Sequence, residues 1–163
     1  DRPAGRGLGE VRAVCLATNA RDAGRNADPV DLGRSWLSVM THGLADGLQD
    51  PLFMQVHGFD PSTSVADAVL SPGVRFVSPA EWAEAFRRVA LGLGASDIRG
   101  PEEVPNLAAH DNMQGRILAR RGLRFWHLEL SSPLRETLRT TKAARLALRD
   151  QLLLLAARAV DPG

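Results

Sequence analysis

Glu129 lies in the apolar stretch Phe125-Trp126-His127-Leu128-Glu129-Leu130 and is followed at once by Ser132-Pro133. A carboxylate inside a strand with large apolar neighbours loses hydration. That disfavours its charged form, raises its pKa and suits it to general acid/base work. The same residue also fits a plainer role, pointing to solvent or pairing with Arg135. His57 has a comparable place, at the end of Leu52-Phe53-Met54-Gln55-Val56 and just before Gly58. A neutral imidazole there can ligate a metal or act as a base, and it can equally be a hydrogen-bonded structural residue. The spacing His57-x-x-Asp60 allows chelation from one turn. His127 stands two residues before Glu129 and so faces the same side of the strand.

A second polar segment, His110-Asp111-Asn112-Met113-Gln114-Gly115-Arg116, reads as a loop opening into a helix. Its Asn112, Gln114 and Arg116 can hold a substrate carboxylate or amide, and a capped helix start accounts for the same residue types. Arg34 and Arg135 are further candidates for positioning substrate. His42 falls within an amphipathic helix and reads as structural, and Arg87-Arg88 and Arg120-Arg121 read as solvated helix edges. The chain has no Gly-rich phosphate loop, Cys-x-x-Cys pair, His-Glu-x-x-His helix or Gly-x-Ser-x-Gly elbow, which disfavours those enzyme classes.

The elements that must position these residues alternate between strand and helix. Strands are expected over 11–16, 52–56, 66–70 and 124–130. Leu32, Trp36, Val39, Met40, Leu44 and Leu48 recur at intervals of three and four and predict a helix that stops near Asp50-Pro51. Ser78-Pro79-Ala80-Glu81 starts a helix running to about Leu91, with Gly92 and Gly94 as terminators. Ser132-Pro133 starts a last helix extending to about Ala159. This order predicts a single α/β domain over residues 1–163, a mainly parallel or mixed sheet flanked by helices, with functional residues at the carboxyl ends of the strands.

Composition narrows the partners. The 163 residues, 44% hydrophobic, can bury one proper core. The 20 basic and 19 acidic residues are interspersed, so no nucleic-acid footprint is expected. The one cysteine, Cys15, lies in an apolar run and excludes a disulfide framework within the chain. The longest apolar stretch, 152–157, falls far below the ~20 residues of a membrane span, so a soluble, cytoplasmic protein is expected. Arginine dominates over the single lysine, Lys142, a bias typical of a GC-rich bacterial genome.

Three segments, in this order, resemble the zinc carboxypeptidases and their amidohydrolase relatives. Asp31-Leu32-Gly33-Arg34-Ser35-Trp36 is similar to that family's Asp-x-Asn-Arg-x-aromatic segment. Gln55-Val56-His57-Gly58 is similar to its strand ending in the third zinc-binding histidine, and Leu128-Glu129-Leu130 to its strand with the catalytic glutamate. The resemblance implies that Arg34 binds substrate, that His57 ligates zinc and that Glu129 activates the water at the metal. Gly33 stands where the family has Asn, and the family's His-x-x-Glu ligand pair is not in the chain. Since that pair lies upstream in the family, the chain is expected to be its C-terminal portion, with a preceding segment supplying two further ligands. The expected activity is metal-dependent hydrolysis of a small peptide or amide; the other reading is a non-catalytic α/β binding or scaffold domain.

Overall fold

The computed structural model describes residues 36–47, 51–59, 66–110 and 112–157. Expectations for the strand over 11–16, Cys15, Arg34 and Asp60 fall outside these residues. Four strands form one mixed sheet: β1 (Leu52–Gly58), β2 (Ala68–Ser71), β3 (Ile98–Arg99) and β4 (Arg124–Leu130), in the order β1-β4-β2-β3. The ladders β1/β4 and β2/β3 are parallel, whereas β4 and β2 run antiparallel. Five helices flank the sheet among the described residues: α1 (Trp36–Gly47), α2 (Pro79–Leu93), α3 (Met113–Arg120), α4 (Ser132–Thr140) and α5 (Lys142–Ala157). None is long and apolar enough to cross a membrane.

Local chemistry sets the helix limits. The Ser78 hydroxyl accepts from the Glu81 amide, Pro79 opens α2, and Gly94 closes it with a left-handed φ of 61°. That conformation is cheap only for glycine. The side chain of Asn112 caps α3 by accepting from the Gly115 amide at 3.0 Å.

The last expected helix is in fact two. Thr141 is extended (φ −109°, ψ 107°) and separates α4 from α5. The Thr137 and Thr140 hydroxyls donate back to the carbonyls of Pro133 and Glu136, and the Arg145 guanidinium donates to the carbonyls of Leu138 and Arg139. Side chains thus satisfy the end of α4 without glycine or proline, so the usual stop signal is missing. The turn sends α5 back along α2, where Gly92 passes so close that a β-carbon would stand 2.9 Å from Leu148 Cα.

The two faces of the sheet differ in content. Trp126, Leu128 and Leu130 of β4, with Ala68 and Leu70 of β2, meet Ala85, Val89 and Leu93 of α2 and Leu155 of α5 in the main apolar core. Strand alternation turns Phe125, His127 and Glu129 the other way. Phe125 is covered by α3, where a β-carbon on Gly115 would lie 3.0 Å from the Phe125 ring. Two sequence expectations change here. Val39 of α1, assigned to a buried face, is 57% exposed, while the polar Thr41 is buried and takes a hydrogen bond from Gln114. Arg88 is no solvated edge: it is 9% exposed, because Glu84 and Gln151 pair with its guanidinium inside the α2/α5 contact.

Candidate metal centre

The parallel pairing of β1 with β4 decides which polar residues meet. Phe53 lies beside Phe125, Gln55 beside His127 and His57 beside Glu129, all on the face away from the main core. Both strands point their carboxyl ends the same way, so His57, His127 and Glu129 gather at one edge of the sheet. One ligand atom from each lies within 4.8 Å of the other two. His127 Nε2 is 3.5 Å from Glu129 Oε1, and the His57 and His127 rings are 5.2 Å apart, tilted by 40°.

The group is graded from inside to outside. His127 is 5% exposed, the Glu129 side chain 13%, and His57 is half-buried. Burial, followed by the nearby His57, lowers the His127 pKa from 6.5 to about 4, while the Leu107 backbone works in the opposite direction. His127 is therefore neutral near pH 7, and its contact with Glu129 is not a pair of full charges. A neutral imidazole carries the lone pair that a metal requires. Its Nδ1 is buried and has no hydrogen-bond partner among the described residues.

The neighbouring residues form the wall of the group. Asn112 donates to Gln55 Oε1 at 2.5 Å while capping α3, which fastens that helix to β1 beside His127. Gln114 reaches the other way and donates to Thr41 Oγ1 at 2.8 Å, joining α3 to α1. The Ser71 hydroxyl, whose residue pairs with His127 across the β2/β4 ladder, donates to the Ala108 carbonyl.

Arg135 is not brought to the group. Gly58 alternates with His57, and a β-carbon on Gly58 would collide with the Arg135 guanidinium, so Arg135 covers the opposite face of the sheet. There it donates to the Phe59 carbonyl and the Ser132 hydroxyl. His42, exposed on α1, meets Arg121, which also pairs with Asp46.

His127 is the member that spacing alone makes only a companion of Glu129. Its shared face with Glu129 is visible in the sequence, but its approach to His57 depends on the register of two strands 72 positions apart. Comparison of the chain with protein-family models, with curated proteins and with solved structures found no match.

Proposed function

We propose that the chain holds a divalent metal through His57, His127 and Glu129 and that it hydrolyses an amide or small peptide there. The observation that carries this reading is the convergence of two imidazoles and one carboxylate at the ends of β1 and β4. Two histidines and one glutamate are a known ligand set for catalytic zinc, which keeps a further position open, and the same donor types also suit iron(II). Ligands about 2.05 Å from a tetrahedral ion stand about 3.3 Å apart. The 3.5 Å between His127 and Glu129 is close to that spacing. His57, the most exposed member, has the remaining distance to close.

This set changes two expectations. Glu129 sits where a third ligand belongs, in preference to the base that the carboxypeptidase resemblance implies. His127 and Glu129 also supply the two ligands otherwise sought in an upstream segment. A metal held there would polarise a scissile carbonyl and lower the pKa of water. The chain's own residues divide the remaining tasks: buried His127 anchors, Glu129 offsets the positive charge, and Gln55 and Asn112 fix the strand and helix that carry the wall.

A second reading, a non-catalytic scaffold domain, draws support from how the expected substrate-binding groups are used. Asn112, Gln114 and Arg135 all bond to the protein's own groups. Zinc titration by calorimetry, on the chain and on His57→Ala and His127→Ala, separates the readings. Binding of one zinc ion, lost in both variants and accompanied by hydrolysis of blocked dipeptides, is the expected result. Zinc binding without hydrolysis favours a structural site, and no binding at all removes the metal reading.

A further inference from the structure

Trp82 of α2 meets Trp126 at a tilt of 38°, their centroids 5.6 Å apart, on the side of the sheet opposite His127. Beside it lies an open groove of about 1070 Å³, near the upper end of the range for small-molecule sites. Its walls are mainly apolar and include Phe76, Trp82 and Phe86, while Glu102 and Glu103 stand at its rim. Phe76 is 90% exposed on the extended segment before α2. Trp82 and Phe86 form a wedge, with centroids 6.2 Å apart and planes at 45°. Gly100 lets the chain pass against Trp82. From the point where its β-carbon would stand, the Trp82 ring edge is 3.0 Å away and Glu103 Oε2 3.9 Å. Aromatic carbon and carboxylate oxygen therefore flank one small volume.

The charges around the groove select the sign of an occupant. Arg75 and Arg87 also line it, but Arg75 pairs with Glu81, and Arg87 makes a bidentate pair with Glu84. Arg99, which Glu103 also favours, is held by Asp97. Among the described residues Glu102 and Glu103 form no ion pair; Glu103 accepts from the Gly100 amide and attracts Arg99. Arg75 and Arg99 thus each have a carboxylate of their own and Arg87 shares Glu84 with Arg88, while Glu102 and Glu103 stand beside aromatic faces without an ion pair among the described residues.

We infer that this groove binds an organic cation, a protonated or quaternary amine on an apolar body. The apolar body would lie along Phe76 and Phe86, with the cationic head between the Trp82 ring and the rim carboxylates. A cation within about 6 Å of an aromatic centroid is attracted by the ring's negative face, and the rim carboxylates add to the attraction. Neutral apolar ligands gain the walls alone, and anions meet Glu102 and Glu103.

Benzyltrimethylammonium, its uncharged isostere neopentylbenzene and the anion phenylacetate provide the test. Binding is followed on the full chain through the indole N–H resonance of Trp82, assigned with Trp82→Phe. The expected result is saturable binding of the cation, at least about tenfold tighter than either comparison compound. Glu102→Gln should weaken it severalfold, and so should Phe76→Ala, a change at an exposed position that spares the fold. His57→Ala, on the other face, should leave it unchanged. Equal affinity for cation and isostere, no saturable shift, indifference to Glu102→Gln or loss in His57→Ala would each overturn the proposal.

Discussion

His57 and Glu129 are direct neighbours in the parallel β1/β4 ladder, and His127, two residues before Glu129, closes a triangle with them. The strand geometry ties the three together: any change of register by one residue would turn the β1 histidine to the opposite face. The consequences can be measured.

Acid should destabilise the protein through His127. Its folded pKa of about 4 lies below the unfolded 6.5, so the unfolded chain binds the proton more tightly. The stability due to the neutral ring is complete above pH 6.5 and is lost as pH falls from 6.5 through 4. The difference corresponds to roughly 3 kcal/mol. Urea unfolding across this range, with chelator present, should show the loss in the parent chain and a flatter profile in His127→Gln. An equally steep variant profile would assign the acid sensitivity elsewhere.

Glu129→Gln keeps the side-chain volume and removes the negative charge. The variant should fold, bind zinc at least about tenfold more weakly and lose hydrolysis. Retention of parent-level affinity and turnover would show that Glu129 has only a structural role.

Gly58→Ala should destabilise by at most about 1 kcal/mol, because the new methyl group occupies the space of the flexible Arg135 guanidinium, which can swing aside by giving up its bonds to Phe59 and Ser132. Arg135→Ala in the same chain should recover part of the loss. Additive effects in this double-mutant cycle would contradict direct contact.

Asn112→Ala removes the α3 cap and the bond to Gln55 together. A loss of about 1–3 kcal/mol is expected. The variant should also bind zinc less tightly, since α3 is then no longer fastened beside His127. Lowered stability with unchanged zinc affinity would separate the wall from the metal group.

Trp126→Ala opens the main core and should cost about 3–5 kcal/mol. Thermal unfolding measures it. A loss below 1 kcal/mol would mean that α2 and α5 collapse onto the vacated space.

Much of this was legible in the residues themselves. The apolar stretch 124–130 defines β4 residue for residue, and Ser78-Pro79 defines the start of α2 because capping chemistry is local, whereas of the two expected terminators Gly94 ends the helix and Gly92 lies inside it against α5. Alternation by itself put His127 and Glu129 on one face, and the βα order predicted a mainly parallel or mixed sheet, of which the mixed form is observed because β2 runs antiparallel to β4. Other features depended on contacts between distant segments. The break at Thr141 rests on hydroxyls and Arg145 in place of glycine or proline. Arg88 became buried only when α5 brought Gln151 to it. The pairing of His57 with Glu129, the burial that neutralises His127 and the removal of Arg135 to the opposite face all follow from strand register. Register is set by how the two faces of the sheet are filled across the whole fold, and no single segment carries that information.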